Sequence, residues 1–262
     1  MNRWLVLFGK EWTELIRSYK LVWVPLVYIL FGAMQPLSTY FLPDILAHAG
    51  NLPEGAIISI PQPLASEVMA QTLQQFNTMG LLVIALSVMG SISAERTNGV
   101  TAMILVKPIS YLSFVSAKWA AMLVLVTLAF AGGFGAAWYY TAALFETVDW
   151  QSSLYAYLLF MLWLSFAGSL TLLFSALLRS GAAAAACALG SAAVLALTAS
   201  AFPHALSASP GMLPKLAYAQ FAVLPSGQGS PWPAVCIAIG IMLAIMTIAA
   251  WSLRRRPSLD TL

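Results

Sequence analysis

Six stretches of this chain are each about 20 residues long and almost wholly apolar, and that property decides what it can fold into. They run over about 21–42, 76–93, 114–142, 154–178, 182–202 and 232–253. A helix needs roughly 20 apolar residues to cross about 30 Å of hydrocarbon, and each stretch meets that length within a few residues. Inside lipid every backbone N–H and C=O must find a partner within the protein. Helices meet that need locally, whereas a lipid-facing barrel would show short alternating strands, which this sequence lacks. Of 262 residues, 61% are hydrophobic and 8% charged, against about 25% charged in an ordinary soluble domain. The expected fold is all-α: a polytopic membrane protein with six transmembrane helices and one transmembrane domain over 1–262.

The first twenty residues follow a different pattern. On a helix at about 100° per residue, Trp4, Leu5, Phe8, Trp12, Leu15, Ile16 and Tyr19 form one apolar stripe. Arg3, Lys10, Glu11, Glu14, Arg17 and Lys20 fall outside it. Aromatic residues on one side and basic residues on the other describe an amphipathic helix lying in the membrane interface. A secretory signal is excluded by the acidic residues, the broken apolar run and the span that follows directly.

The cations set the expected orientation. With six spans the termini share a side, and that side holds Arg3, Lys10, Arg17, Lys20, Arg96, Lys107, Arg179 and Arg254–Arg256. Lys118 lies at the same edge, leaving only Lys215 opposite. Such an asymmetry predicts both termini in the cytoplasm and the protein in the cell membrane. Segment 94–113 is then a cytoplasmic loop, and 43–75 and 203–231 are external. In the second of these, Leu213–Leu224 is apolar but too short to span, which predicts a re-entrant or surface helix.

No side-chain set for bond chemistry is visible. The chain has no Gly-x-x-x-x-Gly-Lys-Ser/Thr loop, no His-Glu-x-x-His and no Cys-x-x-Cys. His48 and His204 stand alone in external segments, so no metal site is expected. Cys187 and Cys236 lie in apolar segments and read as inert thiols. No Asp, Glu or His falls at membrane depth, where ion- and proton-driven carriers keep ionisable groups. Gln35 is the one strong amide of the first span; an interhelical hydrogen bond is the simpler reading of it, a substrate contact the other. The glycines at 132, 133 and 135 predict close helix packing within the chain.

Between the second and third spans lies Ser93-Ala-Glu-Arg-Thr-Asn-Gly-Val-Thr-Ala-Met-Ile-Leu-Val-Lys-Pro-Ile-Ser110, with Lys118 opening the third span. This segment resembles the first cytoplasmic loop of ABC-2-type transporter permeases: a Glu closing the second span, a Gly four residues on, an apolar helix, a Pro-Ile/Leu-Ser turn and a Lys. Glu95, Gly99, Met103–Val106, Pro108-Ile109-Ser110 and Lys118 occupy those places. Arg96 stands where a second acidic residue is common in the family. The likeness extends to the amphipathic start with Lys10-Glu11, the span count and the bulky last external loop.

The resemblance implies the membrane half of an ATP-driven exporter: two permeases lining a pathway and docking on a separate cytosolic P-loop ATPase. It places that coupling on Lys10, Glu11 and Glu14 and on Glu95, Arg96, Gly99, Met103, Leu105 and Pro108. An apolar run on the cytoplasmic side suits a helix laid into a protein groove, with Glu95 and Arg96 pairing with the partner's rim. ATP and magnesium would belong to that ATPase; this chain is expected to bind no cofactor, to contact no nucleic acid and to be no enzyme. The alternatives are an autonomous carrier or channel, which predicts intramembrane charge or a repeat of broken helices, and a structural membrane partner without an ATPase. The apolar spans lean toward a hydrophobic or amphipathic cargo.

Overall fold

The structure is a computed structural model that describes residues 3–49, 63–99, 110–222 and 230–255, with the side chains of all but 44 and 46–49. Its described residues form helices and turns, with no strand among them. Helix α1 (Arg3–Arg17) leads through a turn at Tyr19, which takes the left-handed conformation (φ 56°), into α2 (Lys20–Ala49). Next come α3 (Ala65–Gln75), a π-helical turn (Phe76–Gly80), α4 (Leu81–Val88) and the short α5 (Ser93–Thr97). Long α6 (Tyr111–Leu144) and α7 (Trp150–Leu177) follow, then α8 (Gly181–Ala201), α9 (Leu213–Ala219) and α10 (Trp232–Arg255). Six segments are long and apolar enough to cross a membrane: Lys20–Pro43, Ala65–Thr97, Tyr111–Leu144, Trp150–Leu177, Gly181–Ala201 and Trp232–Arg255.

Two of these differ from the sequence reading. The first span, expected to stop near 42, is one helix from Lys20 to Ala49 that runs through Pro25, Pro36 and Pro43. Each proline removes one N–H from the ladder, and packing against neighbouring helices carries the helix through, as membrane helices allow. The second span begins at Ala65, not Phe76, so that α3, the π turn, α4 and α5 together make a 33-residue segment, Ala65–Thr97.

Helix α7 is the axis of the bundle and the most buried of the six spans. Phe160, Trp163 and Phe166 on it are fully enclosed, and Phe130 of α6 stacks on Tyr157 and against Phe160. Without a hydrophobic drive between helices in lipid, such packing and polar bonds hold the bundle together. Trp163 Nε1 donates to Asn77 Oδ1 in the π turn (2.8 Å), and Tyr28 Oη donates to Gly80 O at its end (2.8 Å). A π turn frees backbone groups from the regular ladder, and Tyr28, wholly buried, takes one of them.

Helices α2 and α6 cross with their backbones in contact. A Cβ on Gly32 would stand 2.0 Å from Gly133 O, and one on Gly133 would stand 2.7 Å from Tyr28 O. The expected role of the 132–135 glycines in intrachain packing thus falls on Gly133. The apolar stretch after Gly211 is a short inward helix: α9 buries Leu213, Leu216 and Ala217, chiefly against α7, after a 3₁₀ turn at Pro210–Met212.

Candidate functional site

One end of the bundle, called basal here, carries α1, the foot of the second span and the start of α6. Helix α1 has three faces rather than two. Leu7 and Glu11 point into the bundle, Leu5 and Ile16 are exposed and apolar, and Arg3 and Arg17 are exposed and basic. Trp4, Phe8 and Trp12 stack in a row between the inward and apolar faces, and Trp4 Nε1 donates to Ser116 Oγ of α6 (3.0 Å). An exposed apolar flank beside a packed one is the form of a helix lying in an interface against other helices.

The inward face ends in charge. Lys118 of α6, its side chain fully enclosed, donates to both oxygens of Glu11 (2.9 and 3.0 Å). Its Nζ also lies 2.9 Å from Glu95 Oε2, an ion-pair distance without hydrogen-bond alignment. Lys10 donates to Glu95 Oε1 and to Glu11 Oε1 (3.0 Å), and pairs with Glu14 Oε2 at 3.4 Å. The Lys118 ammonium further sits 5.2 Å from the Phe114 ring centre. The three carboxylates converge within 4.8 Å of one another, a spacing that would suit a cation, and the two ammonium groups fill that role.

Lys20, which donates to Ser87 O (2.8 Å), faces the same cluster across a cavity of about 30 Å³ lined also by Glu11, Glu14 and Lys118. Counting it, three cations meet three carboxylates from α1, α2, α5 and α6, so the group is neutral as a whole. Burial by itself would depress the Lys10 ammonium. The hydrogen bond to Glu95 and the charges of Glu11 and Glu95 outweigh it, and Lys10 titrates above its ordinary range.

Below α4 the second span breaks over 89–92, where backbone groups lose their helical partners. Ser175 of α7 fills the gap: its hydroxyl donates to Met89 O (2.7 Å) and accepts from Ile92 N (3.1 Å) and Ser93 N (3.0 Å). Arg96 Nη1 donates to Ala176 O at the foot of α7 (2.7 Å). Helix α5 then ends at Gly99, whose φ of +72° favours glycine over any side chain. Ser110 caps α6 by accepting from Ser113 N (3.1 Å).

Of the residues singled out in the sequence, Lys10, Glu11, Glu14 and Glu95 therefore share one cluster. Glu95 points inward and is engaged by lysines of its own chain. Arg96 is held by the end of α7, Gly99 terminates α5, and Met103, Leu105 and Pro108 lie outside the described residues. Gln35 makes an interhelical bond, its Nε2 donating to Gln71 Oε1 (2.9 Å). His204 is exposed, and Cys187 and Cys236 are exposed and unbridged. The sequence reading missed Lys118 and Lys20 as members of the cluster, although both stand at the span edges where a snorkelling or paired lysine is common.

Two comparisons with known proteins agree with this architecture. A family model described as ABC-2 family transporter protein matches residues 5–255. An uncharacterized transmembrane protein of Bacillus subtilis, YxlG, is 37% identical over 255 residues, covering 97% of each chain. A match from the amphipathic helix through the last span leaves no large part of the fold unaccounted for, and the chain belongs to the ABC-2 family of transporter proteins.

Proposed function

We propose that this chain is the permease subunit of an ATP-driven exporter, working as a pair of permeases on cytosolic P-loop ATPases, with both termini in the cytoplasm. The observation that carries the proposal is the ion cluster. The segment 100–109 joins Gly99, just after α5, to Ser110, the cap of α6. Glu95 lies four residues before Gly99 and Lys118 eight residues after Ser110. Both are clamped to α1 by ion pairs. A force applied to that segment by a docked ATPase would reach α1, α2, α6 and α7 together, which is what rocking a bundle between two arrangements requires. Nucleotide on the ATPase would bias those arrangements, and this chain would contribute no catalytic group.

In this reading Glu95 is a positioning residue within the permease. Contact with the ATPase falls on the apolar run Met103–Val106 and on Pro108, which suit a groove in a protein partner. The test is purification of the tagged chain in mild detergent from its native membrane, with identification of every protein that accompanies it. A stoichiometric P-loop ATPase is expected, lost in Leu105→Asp while the melting temperature of the permease is unchanged. Absence of any ATPase, repeated with crosslinking, overturns the proposal.

A further inference from the structure

The outward face of the second span is polar over half its length. Gln71, Gln74, Gln75 and Thr78 follow the spacing i, i+3, i+4, i+7, so they share one side of α3 and the π turn. Gln71, Gln74 and Thr78 are exposed, and Gln75 is half-buried. Gln35 and exposed Ser38 of α2 extend the strip, joined to it by the Gln35–Gln71 bond. Within the strip the Gln75 amide is poorly served. Its Nε2 has only Met34 Sδ at 3.9 Å, and its Oε1 is buried with no donor among the described residues.

Depth makes this strip informative. Lys20 begins the first candidate span and bonds Ser87 O, which sets Ser87 near the basal end of that span. Gln71 to Thr78 stand 9–16 residues above Ser87, about 14–24 Å along the helix axis. That lies within about 30 Å of hydrocarbon, where amides facing lipid have no partners. The same face turns apolar immediately below, at Met79, Leu82 and Leu86, all exposed.

We propose that Gln35, Gln71, Gln74, Gln75 and Thr78 line a water-filled vestibule open at the end opposite α1, and that it receives a neutral polar cargo. Neutrality follows from the wall, which offers amide and hydroxyl groups and no charge below Glu67 at its mouth. The apolar residues Met79, Leu82 and Leu86 close the vestibule toward the basal end, as hydrophobic constrictions close water-filled pores. The cargo reading rests on the transport function proposed above; the vestibule itself does not.

The test is thiol labelling in unsealed membrane fragments, where both faces meet the reagent, in a Cys187→Ala/Cys236→Ala background. Gln71→Cys, Gln74→Cys and Thr78→Cys are expected to react with water-soluble methanethiosulfonates at least about tenfold faster than Leu30→Cys and Leu197→Cys, which sit on exposed apolar faces. The trimethylammonium and sulfonate reagents are expected to differ at Thr78→Cys by no more than they do with a free thiol. Equal rates at strip and apolar positions overturn the vestibule. So does a disulfide between two Gln74→Cys copies without labelling, which means that a second copy packs directly on the strip. A strong charge preference at Thr78→Cys overturns the neutral cargo. Co-purification of an ATPase from the same membranes is scored separately, so failure of the transport reading is distinguishable from failure of the vestibule.

Discussion

Lys118 Nζ lies 2.9 Å from Glu11 Oε1, a bond that joins residues 107 apart in the chain and fixes the amphipathic helix to the third span. The ammonium is fully enclosed, so its stability depends on the carboxylates around it. Removing one partner of a buried pair leaves an uncompensated charge and typically costs about 3–5 kcal/mol. Lys118→Met is therefore expected to lower stability by about that amount in detergent melts. Adding Glu11→Leu is expected to recover part of the loss, because the double variant buries fewer unpaired charges. A loss under about 1 kcal/mol for the single variant would show that the cluster is not holding α1.

Ser175 serves three backbone groups at the break in the second span. Ser175→Ala leaves those groups buried and unpaired, at about 1–3 kcal/mol for each group that finds no water. Hydrogen exchange is expected to speed up over 89–97 while the α7 core near Trp163 stays protected. Uniform exchange across both regions would count against a local role for the hydroxyl.

Close approach of α2 and α6 predicts opposite outcomes for neighbouring glycines. Gly32→Ala pushes a methyl onto the Gly133 carbonyl and separates the helices, so loss of folded protein is expected. Gly135 has nothing within 4 Å of a Cβ, and Gly135→Ala is expected to be neutral or to stabilise by about 0.5–1 kcal/mol through reduced backbone entropy. Expression with size-exclusion profiles distinguishes the two, and equal behaviour would refute the backbone contact.

The pH dependence of the Lys10 pair has a defined sign. A lysine held above its ordinary value of 10.5 contributes stability that is fully present below that value and is lost as pH rises through the raised one. The melting difference between the wild type and Lys10→Gln is therefore expected to stay constant from pH 7 to pH 9 and to shrink only in strong alkali. A difference that decays between pH 7 and pH 9 would place Lys10 outside the carboxylate cluster.

Most of the bundle could be read from apolar run length alone. The fourth span was expected over about 154–178 and is helical from Trp150 to Leu177; the fifth, over about 182–202, is helical from Gly181 to Ala201. The second span was read short because Glu67, Gln71, Gln74 and Gln75 dilute its first turns, and run length cannot see that these residues share one side. The prolines of α2 are likewise local signals, and they carry no information about the helices packed alongside that let the ladder continue. Lys10, Glu11, Glu14 and Glu95 drew attention through family resemblance, but the Lys10–Glu95 and Lys118–Glu11 bonds that join them into one cluster cross 85 and 107 residues of sequence. Only the fold brings them together.

The π turn at Phe76–Gly80 has a geometric consequence for the second span. One extra residue in a turn offsets the helix by about 100°. The half above the turn and the half below it therefore run in different rotational phases while remaining one rod. Above the turn Gln71, Gln74 and Thr78 look away from the bundle; below it Leu82 and Leu86 do so, while Ser87 looks into it. Asn77 and Gly80 are the two pins of that offset, held by Trp163 and Tyr28. Rotating α4 about its own axis would carry α3 with it through those two contacts.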